Sequence, residues 1–429
     1  MRREILTFAA IVALVSAAPA GDWPHFLGPA YDGSSPETKL LHDWPQEGPR
    51  KLWEYAKGSG HSAPAISQGR VILFYTEDEN EVVVSIDAET GKPNWSHKYR
   101  TESTARYGSG PGPRTNPVIA GERVFTLGAG GMLNCFELKT GKVIWSRDLA
   151  RQYKLLPTFF GQGGTPLALG DRLVVSLGTE DGKSVVALDV ATGKELWAAK
   201  HTWGSSYASP IAATIHGREC ILAFQGGMDD PPTGGLLVID AKTGNVLSAT
   251  PHRAEMNASV SVSSPVVVGN RVFVSEAYTA GGVCVEIAPD FSARVAWRAP
   301  KFDTYLMTSV AHDGYLYGFA GQHQQNAELA CYDLASGKEA WRGDLGGVFQ
   351  RGSLLRVEGA YLCVGENGDL AWLELSPKGA AVKVKAKLFH APETWSPPAL
   401  SDGRLFICQN QPGNGRTKPR LICYDLRAQ

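Results

Sequence analysis

Short apolar runs alternate with polar, glycine-containing turns along almost the whole chain. Residues 71–75, 272–275 and 405–408 are typical runs, and each one follows a turn that contains Gly. Their β-branched and aromatic side chains and their short length are typical of β-strands. The 48 Gly and 26 Pro fit a chain with many turns. The pattern therefore predicts an all-β protein built from many short strands.

The pattern is also periodic. A turn motif, Asp-x-x-Thr-Gly-Lys-x-x-Trp, recurs about every 40 to 50 residues, and a fixed period of this size is typical of repeat proteins. The clear copies end at Trp95, Trp145, Trp197 and Trp341. A weaker copy that begins at Asp240 has Ser248 where Trp is expected. In each copy the Asp carboxylate can accept backbone N–H groups, and the Gly can adopt the left-handed conformation that closes the turn.

A second marker, a short glycine turn between two apolar runs, occurs eight times. Eight units of four strands each predict an eight-bladed β-propeller with antiparallel blades over residues 51–429. The last unit ends after its third strand, and residues 51–55 look like the missing outer strand. Sharing one blade between the two ends would leave no free sheet edge. An open solenoid is the alternative, and residues 21–50 are predicted to form an irregular arm.

The first twenty residues have the pattern of a secretory signal peptide. Arg2 and Arg3 precede an apolar run over residues 5–18, and Ala18-Pro19-Ala20 offers small residues for cleavage after Ala20. The apolar run is shorter than the ~20 residues that span a bilayer. We therefore expect export to the periplasm or the extracellular space without a membrane span. An uncleaved N-terminal anchor is the alternative.

Composition narrows the range of functions. Lys and Arg number 42 against 43 Asp and Glu, so no basic surplus points to a nucleic-acid partner. The seven Cys are not adjacent and lack zinc-ligand spacing, so we interpret them as small buried side chains. A pairing of Cys408 with Cys423 stays open. The sequence contains no nucleophile elbow, zinc-protease motif or phosphate loop, and we expect a monomer.

The turn motif resembles the tryptophan-docking repeat of the pyrrolo-quinoline quinone (PQQ) dehydrogenases and of BamB proteins. The chain is most similar to exported PQQ-binding-like β-propeller repeat proteins, notably at residues 22–29, 313–319 and 421–426. The resemblance implies either a quinoprotein-type oxidoreductase holding PQQ and calcium or a non-catalytic protein-binding scaffold. Quinoprotein members carry a vicinal Cys pair and a calcium-ligand set, which this sequence does not match. We therefore expect a non-catalytic binding protein, with the oxidoreductase as the alternative and no cofactor firmly implied.

In a propeller the innermost strand of each blade lines the central channel, so the residue before it points to the channel mouth. Aligning the eight innermost strands gives a ring, hereafter the mouth ring: His61, Arg114, Gly163, Tyr207, Val262, Met307, Arg351 and Trp395. We predict ligand binding by His61, Arg114, Tyr207, Arg351 and Trp395.

The chemistry of these five side chains suits a small ligand. Arginine can bind a carboxylate or phosphate in a bidentate manner, and Tyr or Trp can stack on a planar ring or a sugar. Glu276 and His323, in loops of the same face, are expected to be solvated loop residues, with a secondary role in ligand binding as the alternative. No metal ligand is predicted. The partner would be a protein or a small anionic, planar or sugar-like molecule. The alternative is that the mouth ring is structural lining, with its arginines bonded to neighbouring carbonyl groups.

Overall fold

The computed structural model describes residues 21–101, 112–256, 259–346, 349–413 and 417–428. Its strands form eight four-stranded antiparallel sheets, which confirms the predicted all-β, eight-bladed propeller. Helix is confined, within these residues, to α1 (Leu149–Tyr153) and one 3-10 turn (Gln324–Asn326). No helix of the described residues is long and apolar enough to cross a membrane.

The first four blades follow one another along the chain. Blade 1 contains β2 (Ala65–Ser67), β3 (Arg70–Glu77), β4 (Asn80–Asp87) and β5 (Pro93–Arg100). Blade 2 contains β6 (Val118–Ala120), β7 (Arg123–Leu127), β8 (Met132–Glu137) and β9 (Val143–Asp148). Blade 3 contains β10 (Leu167–Leu169), β11 (Arg172–Ser176), β12 (Lys183–Asp189) and β13 (Glu195–Lys200). Blade 4 contains β14 (Ile211–Ile215), β15 (Arg218–Gln225), β16 (Gly235–Asp240) and β17 (Val246–Pro251).

The remaining blades complete the ring. Blade 5 contains β18 (Val266–Val268), β19 (Arg271–Glu276), β20 (Gly281–Ile287) and β21 (Ala293–Ala299). Blade 6 contains β22 (Val310–His312), β23 (Tyr315–Ala320), β24 (Glu328–Asp333) and β25 (Glu339–Gly343). Blade 7 contains β26 (Ser353–Val357), β27 (Ala360–Val364), β28 (Asp369–Ser376) and β29 (Gly379–Lys387). Blade 8 contains β30 (Ala399–Ser401), β31 (Arg404–Gln409), β32 (Arg420–Asp425) and the N-terminal β1 (Lys51–Ala56).

Blade 8 joins the two ends of the propeller as the sequence predicted. Strand β1 pairs antiparallel with β32, with Tyr55 opposite Leu421 and Trp53 opposite Cys423. The innermost strand of blade 8, β30, lies beside the innermost strand of blade 1, β2. The ring is therefore closed, and the open solenoid is excluded.

A Trp on the outer strand connects six of the eight blades to the next one. Trp95, for example, donates its indole N–H to the carbonyl of Leu138 at 2.9 Å. Its ring lies where a Cβ at Gly141 would be, only 2.5 Å from that position, so the turn requires glycine there. The same indole-to-carbonyl bond is made, at 2.6 to 3.2 Å, by Trp53, Trp95, Trp145, Trp197, Trp297 and Trp341.

Blade 4 lacks this Trp, and blade 5 supplies an aromatic side chain at that junction. Ser248 takes the position of the Trp, and Phe291 of the following turn adopts a left-handed φ of 65°. The Phe291 ring packs edge-on against His216, and the Arg218 guanidinium lies 4.6 Å from its centroid. The aromatic side chain at the junction of blades 4 and 5 thus comes from blade 5 and not, as at other junctions, from the preceding blade.

Residues 21–50 cross the end of the channel where the innermost strands finish. Trp23 pairs with Ile66 in β2, and the amide of Ile119 in β6 donates to the carbonyl of Pro24 at 2.7 Å. Further along, the amide of Ser35 donates to the carbonyl of Arg356 in β26 at 2.9 Å. This segment, hereafter the arm, also buries the indole rings of Trp23 and Trp44 in the apolar core around blades 1, 7 and 8.

All seven Cys are buried and free. The strand register places Cys408 opposite Leu421, and Cys423 opposite Phe406. The cross-strand pairing of Cys408 with Cys423 that the sequence left open is therefore not formed. Their role is to fill space in the blade cores, which agrees with the interpretation from sequence.

Candidate binding site in the channel

The mouth ring surrounds a single cavity of about 210 Å³. Each blade contributes one residue of the ring, two to four residues ahead of its innermost strand. The eight lining residues from the ring are His61, Arg114, Gly163, Tyr207, Val262, Met307, Arg351 and Trp395. The structure thus brings together the five predicted ligand-binding residues, because the propeller repeats the same backbone position around one axis.

The arm forms the floor of this cavity. Phe26 and Leu27 line it from the end of the channel that the arm crosses. Leu27 adopts a left-handed φ of 62° and is 7% exposed, so the turn that carries it is packed under the blades. The channel is therefore a cavity with a floor from one segment and walls from the mouth ring.

A belt of hydrogen bonds below the mouth ring holds its residues in place. In each bond a backbone amide of one blade donates to a side-chain oxygen of the next blade, at 2.7 to 3.0 Å. The successive pairs are Ala63 to Asn116, Asn116 to Thr165, Thr165 to Ser209, Ser209 to Ser264 and Ser264 to Thr308. The belt links six consecutive blades, and since five of its six residues lie two positions after a ring residue, it fixes the height of the ring.

Glu366 organises one wall of the cavity from behind. It lies in the loop between β27 and β28, its side chain is fully buried, and it accepts hydrogen bonds from Nε and Nη2 of Arg351. It also accepts from the Trp395 indole at 2.7 Å and from the Gln324 amide at 2.9 Å. A bidentate contact of this kind fixes the guanidinium plane and balances its charge. The Arg351 fork is therefore used within the protein.

Trp395 is also covered by protein groups. The His61 ring stacks on it at 5.0 Å between centroids, and the Arg351 guanidinium lies 5.3 Å from its centroid. His61 Nε2 is 3.8 Å from a carboxylate oxygen of Glu393. Trp395 thus lines the cavity while its indole also contacts the His61 ring and the Arg351 guanidinium.

Arg114 has a different environment. Its Nη1 donates to the carbonyls of Gly112 and Phe160 at 2.9 and 3.3 Å, and its guanidinium lies 4.7 Å from the Phe160 centroid. Burial lowers the pKa of Arg114, with Tyr207 and Glu393 acting in the opposite direction. An arginine remains protonated even so, because its ordinary pKa lies far above neutral pH. Arg114 therefore brings a positive charge to the cavity surface.

Gly163 belongs to the ring because it makes room for Tyr207. A Cβ at position 163 would come within 2.1 Å of the Tyr207 ring, so any side chain there would displace the phenol. The Tyr207 hydroxyl accepts a hydrogen bond from the Phe160 amide at 2.7 Å, and burial raises its pKa. Tyr207 is thereby held against the same loop that carries the Arg114 contacts.

The structure places the two secondary candidates outside the cavity lining. Glu276 ends β19 with a fully buried side chain, where it pairs with Arg253 at 3.0 Å. Burial raises the pKa of Glu276, while Arg253 opposes that shift. It is thus not a solvated loop residue, because an arginine from the loop before blade 5 meets it. His323 is exposed and caps the 3-10 turn in the blade 6 loop.

Several residues of the site escaped the sequence interpretation. Glu366 and Phe160 lie in loops without a motif, and Phe26 and Leu27 belong to the arm. The belt did leave a signal, since a polar residue recurs just before the Pro or apolar residue that opens each innermost strand of blades 2 to 7. Side-chain contacts between blades leave no pattern in the sequence, because they form only when the ring closes.

The residues of the site do not fit a quinone–calcium centre. The described residues contain no group of three or more His, Cys, Asp or Glu that could hold a metal ion. The oxygens of Glu366 are already engaged by Arg351, Trp395 and Gln324, whereas calcium takes six to eight oxygen ligands. The sequence has no adjacent cysteines, and all seven are buried in the blades.

Fold and repeat together define the class as a PQQ-like β-propeller, with Trp-docked blades around a ligand-sized channel. Within that class, the chain belongs to the family described as outer membrane protein assembly factor BamB, whose model matches residues 35–154 and 101–343. BamB of Bordetella pertussis is 24% identical over 282 residues, which cover 57% of this chain and 68% of that protein.

Two solved structures share the fold at lower identity. BamB from Moraxella catarrhalis superposes with a TM-score of 0.58 at 13% identity, covering 89% of this chain and 98% of that one. Quinohemoprotein alcohol dehydrogenase from Comamonas testosteroni reaches a TM-score of 0.65 at 13% identity, covering 96% and 82%. Likeness at this identity concerns the fold alone, so a protein-assembly factor and a dehydrogenase share the architecture.

Proposed function

We propose that this chain is an exported, non-catalytic β-propeller that binds a ligand or protein partner on the face that carries the mouth ring. The observation that carries the proposal is the arrangement around Glu366. A single buried carboxylate engages Arg351, Trp395 and Gln324, so these groups form a fixed wall rather than a set of reactive groups. Fixed, internally bonded walls are typical of preformed binding sites.

The family supports a scaffold role. The relatives are outer membrane protein assembly factors by name, and a propeller offers them a rigid face on which loops present binding residues. The same loops in this chain, between the second and third strands of each blade, surround the mouth ring. Export rests on the signal-peptide pattern of residues 1–20, which lie outside the described residues.

A capture experiment tests the scaffold role. The purified chain serves as bait in an envelope extract, alongside a rim variant, His323→Glu with Gln325→Arg, on the mouth-ring face. The matched control, Lys92→Glu with Lys194→Glu, changes two repeat turns on the opposite face. We expect one stoichiometric partner that the rim variant loses and the control keeps. Equal capture by both variants would place the contact elsewhere.

The quinoprotein alternative is tested directly. The protein is incubated with PQQ and Ca²⁺, and quinone absorbance and dye reduction with alcohols are recorded. Because the residues around the cavity do not fit that centre, we expect neither stoichiometric quinone uptake nor turnover. Tight uptake with turnover would replace the proposed function by an oxidoreductase.

A further inference from the structure

We propose that the cavity binds a small, neutral ring compound that carries one hydrogen-bond-accepting oxygen, such as an aromatic ketone. This inference rests on the proposed function and specifies the ligand of that site. Three features carry it: the size of the cavity, the hydrogen-bond donors that stay unused in its wall, and the balance of charge at its mouth.

The size of the cavity favours a ligand with one ring. Its volume is about 210 Å³, and Phe26 and Leu27 form its floor. An apolar cavity of about 150 Å³ in another protein holds benzene. A ring with one small substituent therefore fits here, and the floor prevents a longer molecule from passing into the channel.

The belt of hydrogen bonds below the mouth ring leaves hydroxyl protons unused. Thr165, Ser209 and Thr308 line the cavity, and each of their hydroxyl oxygens accepts one backbone amide at 3.0 Å. An amide nitrogen is not an acceptor, so each hydroxyl group keeps its own proton for another bond. Within the described part of the chain, none of the three donates a hydrogen bond.

These hydroxyl groups lie inside the protein. Thr165, Ser209 and Thr308 are 3%, 6% and 8% exposed. Ser353, which opens β26, is 6% exposed and also lines the cavity. A buried polar group with an unused donor raises the free energy of the folded state, so an oxygen that accepts from it is bound favourably. Because blades 3, 4, 6 and 7 surround one axis, these donors face the cavity from several sides.

The apolar part of the wall suits the body of such a ligand. Val262 and Met307 line the cavity from blades 5 and 6. Met307 is 7% exposed, and its sulfur accepts a hydrogen bond from the Phe319 amide at 3.3 Å, so the thioether has a fixed position. The Tyr207 hydroxyl is engaged by the Phe160 amide, which leaves the ring for apolar contact. Thioether sulfur and aromatic side chains both make favourable contacts with an aromatic ring.

The charge at the mouth favours a neutral ligand. Glu366 engages Arg351 through two hydrogen bonds. Burial lowers the pKa of Arg114, and Tyr207 and the Glu393 carboxylate oppose that shift. The unused donors of the belt are neutral, whereas a buried carboxylate or phosphate needs a positive charge of its own. A sugar would leave hydroxyl groups against the apolar part of the wall without hydrogen-bond partners.

Calorimetry with the full chain tests the proposal with two probes, acetophenone and α-methylstyrene, in which a CH₂ group replaces the ketone oxygen. We expect acetophenone to bind, and Ser209→Ala to weaken its binding about 3- to 10-fold, since one neutral hydrogen bond is lost. The same variant should leave the affinity for α-methylstyrene unchanged, which shows that the cavity keeps its shape. The control Ser275→Ala removes a buried hydroxyl that donates to Phe302 in blade 5, away from the cavity lining, and should change neither affinity.

A second variant keeps the test independent of the belt. Ser353 is not one of the belt residues, and Ser353→Ala should also weaken acetophenone alone. Equal weakening of both probes in the two variants would indicate a purely structural role for these hydroxyl groups and overturn the proposal. Unchanged acetophenone affinity in both variants, or no acetophenone binding up to about 10 mM, would overturn it too. Partner capture through the rim, measured separately, would still support the proposed function.

Discussion

The wall behind the mouth ring depends on one carboxylate, so Glu366→Gln is the most informative single change. Glutamine keeps the volume of the side chain but replaces one oxygen by an NH₂ group. That group would face N–H donors, because the Glu366 carboxylate accepts, within the described part of the chain, from Arg351, Trp395 and Gln324. The variant therefore leaves the Arg351 charge without its counter-ion inside the protein.

The magnitude follows from burial. The side chain of Glu366 is 0% exposed and that of Arg351 is 16% exposed. Removing one partner of a buried ion pair costs about 3–5 kcal/mol, whereas an exposed pair contributes about 0–1 kcal/mol. We therefore expect Glu366→Gln to lower the free energy of unfolding by about 3 kcal/mol or more. Equilibrium urea unfolding, followed by far-UV circular dichroism, measures the change.

A matched control lies in the same blade. Glu374 pairs with Lys383 at 3.2 Å, and both side chains are more than half exposed. Glu374→Gln should thus change the free energy of unfolding by less than about 1 kcal/mol. In a double-mutant cycle, adding Arg351→Met to Glu366→Gln should cost much less than Arg351→Met costs alone, since the orphaned charge is removed. Additive effects, or equal losses for Glu366→Gln and Glu374→Gln, would refute the reasoning.

Three further changes test other parts of the molecule. Gly163→Ala should destabilise the protein by about 1–3 kcal/mol, because the new Cβ meets the Tyr207 ring. The control Gly343→Ala, whose Cβ would have no atom within 4 Å, should be nearly neutral. Thermal melting compares the stability of the two variants. Burial lowers the pKa of His25 to about 3, so the unfolded chain binds a proton that the folded chain excludes, and stability should fall by up to ~1.4 kcal/mol per pH unit as pH drops from 6 to 4. His25→Phe should flatten that dependence in urea unfolding, and the exposed His323→Phe should leave it as in the wild type. Trp44→Ala removes an arm side chain that is 6% exposed and should lower the free energy of unfolding by about 3–5 kcal/mol. The control Val143→Ala, on an outer strand, should lower it by less than about 1 kcal/mol. Limited proteolysis compares the two variants, and faster cleavage of the arm in Val143→Ala than in Trp44→Ala would contradict this prediction.

The junction between blades 4 and 5 shows how a repeat tolerates a missing residue. Trp197 of blade 3 follows the repeat and covers Gly244, but Ser248 of blade 4 cannot reach the next turn. Phe291 fills that role from the other side, in a turn one residue shorter than the usual one, since Ile287 pairs with Ala293 whereas Ile86 of blade 1 pairs with Pro93. The aromatic contact between blades is thus kept although the residue that makes it has moved to the neighbouring blade.

The sequence alone determined the number of blades, their closure through β1 and the mouth ring. These features repeat locally: each blade has similar glycine turns and apolar strands, and six blades have an outer Trp, so similar signals recur along the chain and reinforce one another. The identity of the ring residues followed because the repeat places the same backbone position at the same height around one axis.

Only the tertiary structure decided which side chains meet across blades. Glu366 contacts Trp395 of the next blade and Gln324 of the preceding one, and Arg253 turns Glu276 from an expected solvated residue into a buried one. The arm contacts β26, more than 300 residues further along the chain, through Ser35 and Arg356. Such contacts have no local pattern, because they depend on how the closed ring brings distant loops together in space.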